Sequence, residues 1–244
     1  MSVNFDHNRS DLTGIPEVIL AEPKTPKDFI LTVLAGIERN NQILITRMEK
    51  EHVDVLNELI DGNFASDFEI QENIKSLKLI YDDYKRTAIL YRNSDQLSPE
   101  SLNQYSDVEP QVAILAAGTS DLPIVREIEM TFNFLGIPYF TEVDIGVAGI
   151  NRHKVSIKKI SEFNSIRIFI VVAGNEGALF SVVSSQIKYP IIAVPTGIGY
   201  GFGGKGETAL RSALQSCSPG IAVVNIDNGF GAAIFVAKMI NFGN

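Results

Sequence analysis

The stretch Val112-Ala-Ile-Leu-Ala-Ala-Gly-Thr-Ser-Asp121 joins an uncharged apolar run to a glycine, two hydroxyl residues and a carboxylate. A short apolar run bounded by a turn signal indicates a strand that is buried on both faces. The residues that follow, 122–135, switch to helical spacing. The turn therefore lies at the carboxyl end of a predicted strand and opens a helix. In parallel sheets ligands bind at this edge, because loops and helix amino termini converge there.

Gly118, Thr119, Ser120 and Asp121 form the first part of a predicted binding site. Backbone N–H groups and hydroxyls at such a turn suit a phosphate, and the carboxylate suits sugar hydroxyls or a metal. An alternative interpretation is purely structural, because Ser120 or Asp121 could simply cap the helix. The recurrence of the same pattern further along the chain favours a binding site.

Five strand–loop–helix units follow one another from residue 111 onward. The predicted strands are 112–117, 139–143, 166–173, 190–194 and 221–225, and the predicted helices are 122–135, 150–163, 178–188, 206–216 and 232–241. Such alternation predicts parallel strands, right-handed crossovers and helices on both faces of the sheet. We therefore expect an α/β fold, a flavodoxin-like three-layer domain with a five-stranded parallel sheet.

Small and polar residues are concentrated in the loops after these strands. Besides the first turn, the candidate binding residues are Gly146, Gly149, Arg152, Gly174, Gly177, Thr196, Gly199, Gly201, Asp227 and Asn228. Glycine lets the backbone approach a ligand closely, so its concentration at one edge of the sheet points to the site. Two overlapping GxGxxG matches start at Gly199 and Gly201, but they follow the fourth strand and are weak evidence for a dinucleotide fold.

The first part of the chain is predicted to be a small α/β (α+β) domain. Its strand candidates are 18–21, 43–45, 68–70 and 76–81, and its helices begin near Pro26 and Glu51. A polar, turn-rich segment, 92–109, is interpreted as a linker. We therefore divide the chain into an N-terminal domain with its linker, 1–108, and a catalytic domain, 109–244.

Composition excludes several classes of protein. The formal net charge of −8 argues against nucleic acid or an anionic membrane as the main partner. No apolar run approaches the roughly 18 residues of a membrane span, and the polar start is not a secretory signal. The single cysteine, Cys217, cannot form an internal disulfide, which fits a cytoplasmic protein. Three histidines, at positions 7, 52 and 153, show no metal-ligand spacing.

Several blocks of the chain resemble known families. The block 117–123, Ala-Gly-Thr-Ser-Asp-Leu-Pro, resembles the Gly-Ser-x-Ser-Asp loop of phosphoribosylaminoimidazole carboxylases. The blocks 172–179, 193–201 and 216–233 are similar to signatures of the nickel-pincer cofactor biosynthesis carboxylase/hydrolases, which carry a related domain at the C-terminus. The opening segments 6–9 and 15–19 also resemble that family, so the resemblance spans nearly the whole chain.

This resemblance implies a specific reaction. The enzyme would carboxylate the pyridinium ring of nicotinic acid adenine dinucleotide with CO2 through a transient cysteinyl adduct. It would then hydrolyse the phosphoanhydride to give pyridinium-3,5-biscarboxylic acid mononucleotide and AMP. The resemblance further implies a homo-octamer. The reaction itself needs no biotin, and we expect a Mg²⁺ ion held by the substrate pyrophosphate, because hydrolysis of an anhydride gains from charge neutralisation and the sequence shows no carboxylate cage.

Two catalytic residues follow from this reaction. Cys217 is the only thiol that could attack the ring, although a lone cysteine is also often a small buried hydrophobe. It lies near the end of a predicted helix, where the dipole disfavours a thiolate, so a cation such as Lys205, Arg152 or the pyridinium would have to activate it. Glu176 follows a predicted buried strand, where burial would make it a better base for removing the ring proton.

One position departs from the purine enzymes. Asn151 stands where the resemblance to these enzymes places a histidine used in proton transfer, and an amide cannot act as an acid or base near neutral pH. Whether His153, two residues further on, takes any part stays open. Two alternatives are retained. The first is an aminoimidazole ribonucleotide carboxylase/mutase of purine synthesis, and the second is a non-catalytic dinucleotide-binding module.

Overall fold

The structure, a computed structural model, describes residues 3–62, 76–92, 108–149, 151–160 and 162–241. The chain divides into two compact units, Met1–Asn103 and Gln104–Asn244. Each unit contains its own sheet. The predicted strand at 68–70 and most of the predicted linker lie outside the described residues.

The N-terminal unit packs helices against a small mixed sheet. Its elements are α1 (Arg9–Thr13), β1 (Ile19–Leu20), α2 (Pro26–Ile37), β2 (Gln42–Thr46), α3 (Lys50–Ile60), β3 (Leu77–Tyr81) and β4 (Ala88–Arg92). The Thr25 hydroxyl accepts a hydrogen bond from the Asp28 N–H, which caps α2 as the sequence predicts. The strand order is β1-β2-β4-β3, in which only the β1–β2 pair is parallel.

Strand β4 was not anticipated from the sequence. It pairs with β3 in a hairpin and with β2 on its other side, so it is a central strand of this sheet. The hairpin turn is held by the buried Asp82 carboxylate, which accepts hydrogen bonds from the N–H groups of Tyr84, Arg86 and Thr87. Because a polar turn precedes it, the sequence did not predict this strand, although its residues Ala88 to Tyr91 are all buried.

The C-terminal unit has the predicted five strand–helix repeats. Its elements are β5 (Val112–Ala116), α4 (Leu122–Leu135), β6 (Tyr139–Glu142), α5 (Arg152–Ile160), β7 (Ile168–Ala173), α6 (Ala178–Ser184), β8 (Ile191–Pro195), α7 (Glu207–Leu214), β9 (Ile221–Val223) and α8 (Gly229–Asn241). The strand order is β6-β5-β7-β8-β9 and every pair is parallel. This confirms the predicted flavodoxin-like sheet.

Several helix ends differ from the prediction for identifiable reasons. Helix α7 stops at Leu214, and the Ser216 hydroxyl just beyond it shares a 2.8 Å hydrogen bond with Ser181 of α6. Helix α8 begins three residues early, because the side chains of Asn228 and Glu127 accept hydrogen bonds from its first N–H groups. The Ser181–Ser216 and Glu127–Phe230 contacts join distant segments and leave no local pattern in the sequence, whereas Asn228 is a local cap three residues before Gly231.

The parallel sheet places the loops that follow its five strands at one edge, and four of these loops contain glycine. The central strands β5, β7 and β8 are buried throughout, as their uncharged sequences predict. No helix in the described part of the chain is long and apolar enough to cross a bilayer.

Candidate active site

A cleft of about 290 Å³ opens at the carboxyl edge of the parallel sheet. Three loops line it, those after β5, β6 and β7, and Ile198 adds one contact from the loop after β8. The predicted site residues that line it are Gly118, Ser120, Asp121, Gly146, Arg152, Gly174 and Glu176. The other lining residues were not predicted as site residues, and they are Ala117, Val147, Ala148, Ala173, Asn175, Ala178, Leu179 and Ile198.

The loop after β5 is held by a buried carboxylate. Asp121 accepts a 2.7 Å hydrogen bond from the Thr196 hydroxyl and a 3.0 Å bond from the Gly118 N–H. Thr196 is fully buried and comes from the end of β8, so this pair ties the first loop to the fourth. The structural alternative, in which the Asp121 side chain caps α4, is therefore not what the structure shows. Each of its oxygens instead accepts one hydrogen bond from these two donors.

Burial raises the pKa of the Asp121 carboxyl above its ordinary value, and the nearby Asp227 carboxylate raises it further. The hydrogen bonds from Thr196 and Gly118 lower this pKa but do not cancel the effect of burial. Asp227 itself accepts a 2.8 Å hydrogen bond from the Gly197 N–H. Two carboxylates thus organise the backbone beneath the cleft.

The loop after β6 is fastened directly to the first loop. The Gly146 N–H donates to the Ala117 carbonyl at 2.8 Å, and a Cβ at Gly146 would lie 2.8 Å from the same oxygen. Only glycine allows this approach. Arg152 begins α5 beside this loop, and its guanidinium forms a 2.8 Å ion pair with Asp144. Both side chains of the pair are 55% exposed, so the arginine is accessible to an anionic ligand.

The loop after β7 packs against the glycine-rich loop after β8. The Asn175 N–H donates to the Ile198 carbonyl at 2.7 Å. A Cβ at Gly174 would lie 2.4 Å from that carbonyl oxygen and 2.7 Å from the Thr196 hydroxyl. Gly174 therefore has a steric role, since any side chain would push the two loops apart.

Glu176 lines the cleft but is exposed within the single chain. Its place after a buried strand predicted that burial would make this residue a stronger base. The loop instead projects the side chain towards solvent, and the desolvated carboxylate of the cleft is Asp121. A catalytic role for Glu176 thus requires that a ligand or another chain covers it.

The remaining predicted binding residues lie outside the cleft lining, and several have structural contacts. The Thr196 hydroxyl donates to the Asp121 carboxylate, Asp227 accepts the Gly197 N–H, and Asn228 accepts a hydrogen bond from the Gly231 N–H at the start of α8. A Cβ at Gly149 would lie 2.8 Å from the Arg152 side chain. The others that do not line the cleft are Thr119, Gly177, Gly199 and Gly201.

Cys217 lies away from the cleft of its own chain. It is exposed and stands between α7 and β9, where the Ser216 and Ser218 hydroxyls bond to Ser181 of α6. This is the amino edge of the sheet, and the five residues of β8 separate the two edges by about 16 Å. Lys205 likewise does not line the cleft. The thiol cannot reach a ligand in this cleft of its own chain.

The segment 151–153 contributes one residue to the cleft. Arg152 lines it, whereas Asn151 is exposed outside the lining. His153 is buried, and its Nδ1 has no hydrogen-bond partner among the described residues. It does not line the cleft.

The described residues do not fit a metal ion held by the protein. They contain no group of three or more His, Cys, Asp or Glu side chains arranged to hold one. Asp121, the most buried carboxylate of the cleft, already accepts two hydrogen bonds.

The cleft combines donors, one cation and one accessible carboxylate. The turn at Gly118 and Ser120 and the nearby Arg152 suit phosphate oxygens. The Glu176 carboxylate lies in the same lining and is of a residue type that serves in acid–base chemistry. This arrangement suits acid–base chemistry on a phosphorylated ligand.

Comparison with known proteins agrees with this architecture. Residues 111–244 match the AIR carboxylase family, and residues 2–73 match a domain described as LarB/PurE-like N-terminal domain. An uncharacterized protein of Methanocaldococcus jannaschii is 36% identical over 242 residues, which cover 98% of this chain and 85% of that protein.

Two further similarities concern the C-terminal unit. A probable N5-carboxyaminoimidazole ribonucleotide mutase of Methanothermobacter thermautotrophicus is 33% identical over 141 residues, or 56% of this chain and 40% of that protein. The crystal structure of Treponema denticola PurE has a TM-score of 0.47 and 23% identity, and the match covers 55% of this chain and 82% of that chain. Because residues 111–244 make up more than half of the chain, the chain belongs to the AIR carboxylase family, in a form that carries a LarB/PurE-like N-terminal domain.

Proposed function

We propose that this protein carboxylates the pyridinium ring of nicotinic acid adenine dinucleotide with CO2 and then hydrolyses the phosphoanhydride. The products would be pyridinium-3,5-biscarboxylic acid mononucleotide and AMP. The observation that carries this proposal is the pairing of two matches on one chain, a LarB/PurE-like N-terminal domain and an AIR carboxylase domain. The similar purine mutase of Methanothermobacter aligns with only 56% of this chain. The sequence blocks that resemble the nickel-pincer family support the same assignment.

The chemical difficulty is that a pyridinium ring is electron-poor and does not attack CO2. Addition of a thiolate to the ring gives a dihydropyridine, whose enamine makes a neighbouring ring carbon nucleophilic. That carbon attacks CO2 and forms the new C–C bond. A base then removes the proton from this carbon, and the C–S bond breaks to release the thiolate and restore the aromatic pyridinium. This series of reaction steps needs neither ATP nor biotin.

Cys217 is the only thiol in the sequence, and it lies at the opposite edge of the sheet from the cleft. The proposal therefore requires that a second copy of the chain delivers its Cys217 to this cleft. An assembly of copies, an octamer by resemblance, would supply this geometry. Exposure of the thiol in the single chain is consistent with a role between copies. The positive charge of the bound pyridinium would favour the thiolate.

Glu176 is proposed as the base that removes the ring proton. It lines the cleft and is exposed in the single chain, so a bound ring and a neighbouring copy would both desolvate it. Desolvation disfavours the ionised carboxylate and so strengthens it as a base. Asn151 cannot take this role, because an amide does not accept a proton near neutral pH.

The phosphates are proposed to lie on the turn after β5. Ser120 and the backbone of Gly118 line the cleft, and Arg152 faces it from the start of α5. In the hydrolytic step, water adds to phosphorus and the bridging P–O bond breaks, which releases AMP. Any Mg²⁺ ion would be held by the pyrophosphate of the substrate, and no step above depends on it.

The direct test is incubation of the full chain with nicotinic acid adenine dinucleotide, bicarbonate and Mg²⁺, followed by mass spectrometry. We expect AMP and a mononucleotide that carries two ring carboxylates. With ¹³C-bicarbonate the new carboxylate gains one mass unit. Aminoimidazole ribonucleotide serves as the comparison substrate, and its turnover without any pyridinium product would contradict the proposal.

Two variants test the assigned residues. Cys217→Ala should abolish carboxylation. Cys217→Ser should retain the assembly of copies and should also fail to carboxylate. Glu176→Gln should slow carboxylation by at least about 10²-fold, in line with the loss of a general base. Full carboxylation by Cys217→Ala would refute the thiol adduct. Mixing Cys217→Ala with Glu176→Gln chains should restore part of the activity if the two residues act from different copies.

A further inference from the structure

The loop between β8 and α7 carries two aromatic side chains that have almost no contact with the rest of the chain. Tyr200 is 89% exposed and Phe202 is 97% exposed, the highest values among the large hydrophobic residues of the described chain. They are separated by one glycine and flanked by others in the sequence Gly199-Tyr-Gly-Phe-Gly-Gly204. A surface of this kind is costly in water and indicates a binding role.

The base of this loop is firmly attached to the cleft. The Ile198 carbonyl accepts the Asn175 N–H at 2.7 Å, and the Gly197 N–H donates to Asp227 at 2.8 Å. At its far end, a Cβ at Gly206 would lie 2.8 Å from the Thr196 carbonyl. Ile198, two residues before Tyr200, lines the cleft itself. The aromatic pair is therefore continuous with the cleft along the backbone.

The tip of the loop is open around both rings. A Cβ added at Gly201, Gly203 or Gly204 would meet no atom within 4 Å. No neighbouring side chain from these positions can cover a ring face, because glycine has none. Both faces of each ring are thus accessible to a flat partner.

The size of the cleft gives a reason for such a surface. At about 290 Å³ it lies at the lower limit of pockets that enclose drug-sized ligands. A dinucleotide is larger than a pocket at this limit encloses, so part of the ligand would extend over the adjoining surface. If the pyridinium lies beside Glu176, the adenine half is the part that leaves the cleft.

We propose that Tyr200 and Phe202 form a stacking surface for the adenine base of the dinucleotide. This inference rests on the proposed function for the choice of ligand. Aromatic side chains bind bases through their π-faces, with little demand on hydrogen bonding. The pair would select dinucleotides over mononucleotides and hold the phosphoanhydride across the mouth of the cleft.

The test is calorimetric binding to the full chain of three probes: nicotinic acid adenine dinucleotide, nicotinic acid mononucleotide and AMP. We expect Tyr200→Ala and Phe202→Ala each to weaken dinucleotide binding roughly tenfold, the typical effect of removing one stacked aromatic. AMP binding should fall similarly, and mononucleotide binding should stay unchanged. The conservative Tyr200→Phe and Phe202→Tyr variants should bind as the unaltered protein does.

Tyr84→Ala is the matched control, because Tyr84 is an exposed aromatic of the N-terminal unit, 44% exposed. It should leave all three affinities unchanged. Equal weakening for the mononucleotide and the dinucleotide, or no weakening at all, would overturn the stacking role. A fall in assembly size of the variants, measured by light scattering, would assign the loop to a contact between copies instead.

These outcomes separate the inference from the proposed function. If the Ala variants carboxylated the substrate and bound the dinucleotide as tightly as the unaltered protein, the stacking role would be refuted and the proposed function would stand. If the Ala variants selectively lost dinucleotide binding and the unaltered chain gave no carboxylated product, the stacking surface would stand and the proposed function would be refuted. Absence of any dinucleotide binding by the unaltered chain would overturn both.

Discussion

Substitution of Asp121 tests whether this carboxylate stabilises the fold mainly through the hydrogen bonds that its two oxygens accept. Asp121 is 4% exposed and accepts hydrogen bonds from the Thr196 hydroxyl at 2.7 Å and the Gly118 N–H at 3.0 Å. Asp121→Ala leaves both donors without their acceptor in a buried place. Each unsatisfied group costs about 1–3 kcal/mol, so for the two donors we expect a loss of about 2–6 kcal/mol in the free energy of unfolding.

Asp121→Asn is the matched variant, because it retains the shape of the side chain. Its amide oxygen can accept the Gly118 N–H, and its NH2 group can donate to the Thr196 hydroxyl, which accepts as well as donates. We therefore expect a loss of less than about 1 kcal/mol at neutral pH. Urea unfolding followed by circular dichroism, at fixed protein concentration, measures both values.

The pH dependence has a defined sign. Because the folded pKa of Asp121 is raised above its unfolded value, the folded state binds the proton more tightly. The stability that this carboxyl contributes is therefore fully present below its unfolded pKa and is lost as the pH rises through its folded pKa. The stability of the unaltered protein relative to Asp121→Asn should fall across this window.

Two results would refute this reasoning. If Asp121→Ala lost less than about 0.5 kcal/mol, the two hydrogen bonds would not hold the loops. If Asp121→Asn lost as much as Asp121→Ala, the negative charge itself, and not the pair of acceptor atoms, would be what stabilises the turn.

Three further predictions concern other contacts of the C-terminal unit. Glu127→Ala should lower the unfolding free energy by about 1–3 kcal/mol, since it removes the buried acceptor of the Phe230 N–H at 3.0 Å, and urea unfolding with Glu127→Gln as the milder variant checks this. Gly174→Ala should abolish dinucleotide binding measured by calorimetry, because its Cβ would lie 2.4 Å from the Ile198 carbonyl oxygen and would push the two loops apart, and normal binding by this variant would contradict the steric role. Arg152→Ala should weaken the binding of phosphate-bearing ligands and change Tm little, because the ion pair of Arg152 with Asp144 is half exposed. A loss of stability as large as the loss of binding would contradict this.

The order of elements in the C-terminal unit follows from local patterns. Apolar runs such as 112–116 and 168–173, each ending in glycine or a small polar residue, are typical of buried parallel strands. The cleft edge was predictable for the same reason, since Gly118, Gly146 and Gly174 all follow strands. The strand β4 was missed because a polar hairpin turn precedes it and the following residues resemble a linker.

The amino-acid sequence by itself thus determined the parallel sheet, the edge that holds the cleft and the family resemblance. Only the tertiary structure decided which side chains meet there. Thr196 and Asp121 are 75 residues apart and join because β8 and β5 both flank β7. Cys217 falls at the opposite edge because the chain returns through α7 before β9. Hydrophobic periodicity records which face of an element is buried, whereas contacts between loops depend on strand order and register, which no local pattern carries.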